Sequence, residues 1–285
     1  MKAYRVLLAL LTIGGAVEGR AQLIAYDNFS GYSAGTLDGQ GQGYGWTSNW
    51  STATPSLFSA MPGSDLTYSG LTGATGLAQT GSLRGAGIVR SFPAVSSGIV
   101  YFGAVVQYMD TGGNIRIIQT AGDGTTNNGG SVFLGQYNSN PYGSFVTTQY
   151  VDTRPYNGDV NSQTGANSGI SVTTQSTYLV GKIQFNTLGS YDSVWFWVNP
   201  ANASVLENNT SPSAMLIDVY DLGNMGRFGA YIDTPSSGFN FDEIRISTSA
   251  ADMFGAIPEP STYAALLGLA ALGFALLRRK CAPRE

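Results

Sequence analysis

The 285-residue chain has no histidine, and its one cysteine is Cys281. Without imidazole, Ser-His-Asp triads, His-ligated zinc and imidazole acid–base chemistry are excluded. With no cysteine between residues 22 and 256, thiol nucleophiles, thiolate metal sites and disulfides are excluded there too. Charge is scarce, at 11% of residues. Residues 22–256 carry seven cations (Arg84, Arg90, Arg116, Arg154, Lys182, Arg227, Arg245) and fifteen acids, a net charge of −8. An acidic body argues against nucleic acid or anionic lipid as partner. Glutamate there is limited to Glu207 and Glu243, and no aspartate pair clusters in one strand-like run. Glycoside hydrolysis needs two carboxylates facing each other across a cleft. A non-enzymatic role is therefore expected. Amphipathic helical patterns of ordinary length are missing as well.

What fills residues 22–256 is glycine, serine, threonine and asparagine between short apolar or alternating runs. That composition predicts an all-β chain, one domain large enough for a packed core without covalent staples. Three hairpins are expected. Val100–Met109 and Asn114–Thr120 flank the turn 110–113; Val132–Tyr137 and Ser144–Val151 flank 138–143; Tyr178–Phe185 and Ser193–Val198 flank 186–192. Further strands are expected at Met215–Tyr220, Arg227–Ile232 and Phe241–Ser247. Some ten short strands at this spacing predict a β-sandwich or jelly roll. The polar stretches 122–130 and 157–169 read as long loops. Period two puts Leu179, Gly181, Ile183 and Phe185 on one face, with Lys182 and Gln184 on a wet face. It likewise sets Ile244 and Ile246 against Glu243 and Arg245.

Both ends read as targeting segments. Lys2 and Arg5 precede the apolar run Val6–Ala16, and Gly19-Arg20-Ala21 offers cleavage after Ala21, so residues 1–21 are expected to be a signal peptide. A cut after Ala16 is the alternative. At the other end, Pro258-Glu259-Pro260 precedes seventeen uncharged residues, 261–277, and then Arg278-Arg279-Lys280. A helix of that length spans about 25 Å, slightly short of a ~30 Å hydrocarbon core, and snorkelling cations cover the difference. The basic triplet acts as a membrane stop on the cytoplasmic side. The body is then 22–256 and the tail 257–285.

The order Pro-Glu-Pro, apolar helix, basic cluster resembles the PEP-CTERM sorting signal of Gram-negative bacteria. The resemblance implies that Pro258, Glu259 and Pro260 are recognised by an exosortase, a membrane-embedded cysteine transpeptidase. It also implies an inner-membrane-anchored precursor and delivery to the cell surface or extracellular matrix. In the body, Tyr178-Leu179-Val180-Gly181-Lys182-Ile183, Asp192–Pro200 and Phe241-Asp242-Glu243-Ile244-Arg245-Ile246 resemble laminin-G/concanavalin A-like jelly rolls. Tyr26-Asp27-Asn28-Phe29 and Gly45-Trp46 are similar to the opening strand and loop of such exported domains.

Three candidate sites follow. Trp195 and Trp197 are two apart on a strand and share a face opposite Val194, Phe196 and Val198. They form either a stacking platform for sugar rings or an inner packing layer. Trp46 and Trp50 either line a site or bury their glycine-rich loop. Asp27 and Asp242 lie on the first and last strands, which sandwiches often place side by side. They form a candidate structural Ca²⁺ pair, or cap turns separately. Gly122-Asp123-Gly124 reads as a solvated tip. No other cofactor is expected. The expected role is structural or adhesive; the alternatives are polysaccharide binding through Trp195 and Trp197 and, further off, glycan cleavage.

Overall fold

A computed structural model describes residues 23–69, 71, 76–81, 86–109, 113–120, 131–135, 144–149, 164–171, 174–186, 191–220, 222, 224–232 and 238–255. The expected signal peptide at 1–21, Pro258–Pro260, the apolar segment 261–277, the basic triplet 278–280 and the stretch 122–130 lie outside the described residues.

The strands in chain order are β1 (Leu23–Asp27), β2 (Gly35–Thr36), β3 (Phe58–Pro62), β4 (Gly76–Thr80) and β5 (Gly87–Val95). They continue with β6 (Gly98–Tyr108), β7 (Gly113–Gln119), β8 (Ser131–Gly135), β9 (Ser144–Gln149) and β10 (Thr164–Ser171). The last five are β11 (Thr177–Phe185), β12 (Asp192–Val198), β13 (Ala214–Tyr220), β14 (Met225–Ile232) and β15 (Phe239–Ser247). One short helix, α1 (Ala203–Glu207), follows β12; the Asn202 side chain caps it by accepting from the Val205 amide. Asparagine is a favoured N-cap because its oxygen satisfies an amide that has no intrahelical partner.

Two antiparallel sheets make the sandwich. The larger runs β13-β12-β11-β6-β15-β4-β3-β2, and β1 also pairs β15. The smaller runs β5-β14-β7-β8. β9 and β10 form a separate two-stranded ribbon. The all-β single sandwich expected from the residue pattern is thus present. Alternation fills the space between the sheets. Phe102, Ala104 and Val106 from β6, Leu179 and Ile183 from β11, and Ile244 and Ile246 from β15 meet Ile115 and Ile117 from β7 and Phe228 and Ala230 from β14.

The expected hairpins fare unevenly. β11 and β12 pair as predicted, Leu179 opposite Val198. β6 and β7 do not pair: the turn after Tyr108 carries the chain from the larger sheet to the smaller. β8 pairs β7 and β9 pairs β10, so the second predicted hairpin is absent as a ladder. Part of the stretch read as a loop at 157–169 is strand β10.

The outer face of the larger sheet is covered over its central strands β6, β11 and β12. A second apolar layer there joins Tyr101, Val105, Tyr178, Val180, Trp195 and Trp197 to Leu66, Leu71, Leu206 and Met253. The covering comes from Leu66, Tyr68 and Leu71, from α1 and from a 3₁₀ turn at Ala251–Met253. Consequently Lys182, expected to be wet, is buried, and so are Glu243 and Arg245 on the face opposite Ile244 and Ile246. Lys182 donates to Asn209 Oδ1 at 2.8 Å and lies 5.2 Å from the Trp195 ring. Burial lowers its pKa, and Glu207 partly offsets that.

Candidate functional site

β12 sends Val194 and Phe196 into the main core and Trp195 and Trp197 into the outer layer, so the two indoles do share a face. That face is covered. Trp195 is 8% exposed and Trp197 2%, and Trp197 Nε1 donates to the Thr210 carbonyl at 3.1 Å beyond α1. A sugar ring needs an open aromatic face, so the platform reading of this pair is corrected to packing. Trp50 is buried and Trp46 partly buried, so they anchor their loop, whose residues 41–44 and 47–49 stay exposed. Trp46 Nε1 donates to the Tyr26 carbonyl at 2.9 Å, and Trp50 Nε1 donates to Tyr32 Oη at 3.1 Å.

β1 and β15 are neighbours, as the candidate calcium pair requires, with Asp27 opposite Ile244. The carboxylates nevertheless serve two separate networks. Asp27 points inward and meets a cation already supplied by the chain: Arg90 Nη1 on β5 is 2.5 Å from its Oδ2. Tyr32 Oη donates to the same oxygen at 2.6 Å and accepts from Arg90 at 2.8 Å. The guanidinium also donates to the Ser48 carbonyl and lies 4.8 Å from the Trp46 ring. Burial pushes the Asp27 carboxyl up to about 6, against the pull of Arg90 and the Tyr32 hydrogen bond.

Asp242 belongs to the outer face. It accepts from the backbone amides of Glu243 (2.7 Å) and Leu66 (3.3 Å). Burial first, and then the Glu243 carboxylate, raise its pKa well above the usual range. Glu243 sits at φ 50°, in a β-bulge where β15 slips its register against β6 between Asp242 and Arg245. The bulge turns Glu243 and Arg245 to one side. Arg245 Nη2 meets Glu243 Oε2 at 2.6 Å, and Tyr26 Oη donates to Glu243 Oε1 at 2.9 Å. Among the described residues no group of three acidic ligands could hold a metal ion. Asp27 and Asp242 therefore do not form the joint Ca²⁺ site considered from the sequence.

Sequence reasoning passed over Arg90 and Arg245. Both left a signal. Arg90 occupies an inward position between Ile88 and Phe92, and a cation there demands a buried partner. Arg245 and Glu243 are opposite charges two residues apart on one strand.

An open groove of about 680 Å³ lies elsewhere, lined in part by Ser33, Thr36, Asp38, Gln40, Gln42 and Asn49. Gln40 builds its floor: its amide donates to the carbonyls of Ser33 and Thr36, and its oxygen accepts from the Ser33 amide. Asp38 accepts from the Thr52 amide at 2.9 Å. Gly41 leaves space for the Asn49 side chain, since a β-carbon there would lie 1.9 Å from Asn49 Oδ1.

A dry two-sheet sandwich with an open polar groove defines the class of domain. The terminal segment defines what carries it. The model of the PEP-CTERM protein-sorting motif matches residues 256–280. The motif marks an exported chain whose precursor is held at the membrane by its C-terminal segment. No curated protein matches the chain. Structural neighbours include several lectin-type domains and, among others, a bifunctional GH43-CE protein of Bacteroides eggerthii, 14% identical over 81% of this chain and 26% of that one, with a TM-score of 0.38. The metal-free Emp46p carbohydrate recognition domain shares 11% identity over 71% of this chain and 90% of that one, with a TM-score of 0.41. The legume lectin-like domain from Entamoeba histolytica shares 10% over 67% and 88%, at 0.40. The VIP36 exoplasmic/lumenal domain, in a Ca²⁺/Man2-bound form, shares 11% over 80% and 90%, at 0.39. These likenesses carry no ligand to this chain.

Proposed function

We propose that this chain is a non-enzymatic protein of the cell surface or extracellular matrix of a Gram-negative bacterium, delivered by an exosortase-type system, with the sandwich as its structural or adhesive body. The observation that carries the reading is the sorting motif at 256–280 placed directly after the folded body. The chemistry of the body agrees. Asp27, Asp242 and Glu243 are fully buried and engaged by internal partners. The groove is lined by a single carboxylate, Asp38, where glycoside hydrolysis uses two. Fractionation of the native host followed by mass spectrometry tests delivery. The expected result is surface material lacking Cys281; intact protein confined to the inner membrane would overturn it.

The groove supports a second reading, polysaccharide binding, now without the tryptophan pair. Its Gln, Asn, Ser and Thr side chains suit sugar hydroxyls, and it is open enough for an extended chain. Retention of the folded body on the host's extracellular polysaccharide, lost in an N49A/Q42A variant, is the expected result. Equal retention of both proteins would exclude this groove.

A further inference from the structure

A lysine ammonium is strongly hydrated, so burying it is costly unless a carboxylate pairs with it. Lys182 is 3% exposed on β11, opposite Tyr101 of β6 and Trp195 of β12, whose rings lie 5.6 Å and 5.2 Å from Nζ. Among the described residues no carboxylate makes an ion pair with it. Burial lowers its pKa, with Glu207 offsetting part of the effect, so Nζ is shifted toward the neutral amine. A desolvated, neutral lysine is a nucleophile.

What faces that amine is an amide. Nζ lies 2.8 Å from Asn209 Oδ1 and 3.5 Å from the Leu206 carbonyl oxygen. A C=O bond is about 1.2 Å long, so Asn209 Cγ is within about 4 Å of Nζ. Reacting atoms poised for attack are about 3–3.5 Å apart. Rotation about the soft Cβ–Cγ bond turns the carbonyl face toward Nζ, and a small swing of the flexible lysine closes the distance. Asn209 is held in place for this. It sits at φ 51°, in the left-handed position just past α1 that favours glycine or asparagine. Its amide donates to the Leu206 carbonyl at 3.4 Å. The next residue is tied on both sides: the Thr210 amide donates to the Val205 carbonyl at 2.9 Å, and the Thr210 carbonyl accepts from Trp197 Nε1 at 3.1 Å. Glycine would suit this backbone equally well; asparagine adds a carboxamide, turned onto Lys182.

We propose that Lys182 and Asn209 are the site of an intramolecular isopeptide bond, formed by the folded chain itself, that staples the end of α1 to the larger sheet. Nζ attacks Cγ; the Nζ–Cγ bond forms and the Cγ–Nδ2 bond breaks. Nδ2 leaves as ammonium, carrying the two protons that the Lys182 ammonium gives up. Nothing is oxidised or reduced, and no other reagent is consumed. Glu207, exposed at the end of α1, is the carboxylate that relays those protons; its charge acts on both Lys182 and Tyr101. The bond joins positions 27 residues apart and closes a loop around β12. Closing such a loop restricts the unfolded chain, as a disulfide does, in a body that has no cysteine.

Mass spectrometry of a tryptic digest of the full-length protein tests the bond. Trypsin does not cut at an acylated lysine, so Lys182 and Asn209 are expected in one peptide, about 17 Da lighter than the sequence requires by the loss of one ammonia. N209G keeps the backbone at φ 51° and removes only the carboxamide; K182M keeps the apolar stem and removes the amine. Both are expected to give peptides of unshifted mass. E207Q is expected to slow formation about a hundredfold, the usual worth of a positioned proton carrier; full linkage in E207Q would overturn the relay alone. Cleavage after Lys182 with an unshifted mass, in folded wild-type protein, would overturn the bond. So would a shifted mass that leaves the cut after Lys182 intact, which is ring closure at Asn209 on its own backbone. A linked peptide that persists in N209G would overturn the choice of partner.

Discussion

Arg90 on the smaller sheet and Asp27 on the larger one meet at 2.5 Å inside the apolar core, so an ion pair joins the two halves of the sandwich. Removing one member of a buried pair leaves the other charged and unsolvated. Arg90→Ala is therefore expected to cost about 3–5 kcal/mol at pH 7. The cost should shrink near pH 4, where Asp27 takes up a proton. Urea unfolding at both pH values checks this. Equal losses at both would mean that Arg90 acts by packing alone.

Stability should fall as pH rises from about 4 to about 6. The folded Asp27 carboxyl is raised to about 6 from 3.8, so the folded state binds the proton more tightly than the unfolded chain. Such a group contributes stability that is fully present below the unfolded value and is lost as pH passes the folded one. A displacement of about two pH units corresponds to roughly 3 kcal/mol. Asp242 and Glu243 are raised as well and act with the same sign. Unfolding midpoints from pH 4 to 7 report the slope, and Asp27→Asn should flatten part of it.

Trp197→Ala should destabilise the body by about 3–5 kcal/mol, the usual cost of emptying a buried indole site. Trp195→Ala should cost a similar amount. Trp197→Phe keeps most of the packing and gives up the bond to the Thr210 carbonyl, worth about 1 kcal/mol. Thermal unfolding separates the three. A Trp197→Ala protein as stable as wild type would return the indole to the surface.

Gly103→Ala should cost about 1–3 kcal/mol through overpacking. The added carbon meets a backbone carbonyl, that of Leu179, which cannot rotate aside. The same carbon presses on Met253, so faster hydrogen exchange at 251–255 is expected alongside the lower midpoint.

Period-two alternation read the inward residues of β11, β12 and β15 correctly, because a half-buried strand prints its core face into local sequence. Turn residues revealed where the chain reverses and not which sheet receives it: the turn after Tyr108 has the composition of a hairpin and serves as a crossing between sheets. Lys182 read as wet because polar residues on alternate positions usually face water, and nothing in the pattern marked the face of Glu243 and Arg245 as covered. The residues that cover them, Leu66, Tyr68 and Leu71, α1 and 251–253, are distant in sequence and leave no mark in the strand's own pattern. The sorting motif at 256–280 was legible because its chemistry is local. The groove at 33–49 was missed, since its polar residues look like any loop until Gln40 and Gly41 shape them.

β15 stands in the middle of the larger sheet, pairing β6 along one side and β4 and β1 along the other. Until it is present, β6, β11, β12 and β13 have no ladder to β1–β4. A chain synthesised and threaded through a membrane from its N-terminus thus cannot complete this sheet until almost the whole body has emerged. Sequence-distant pairings of this kind form slowly. The strand that completes the larger sheet is thus the last one before the sorting motif.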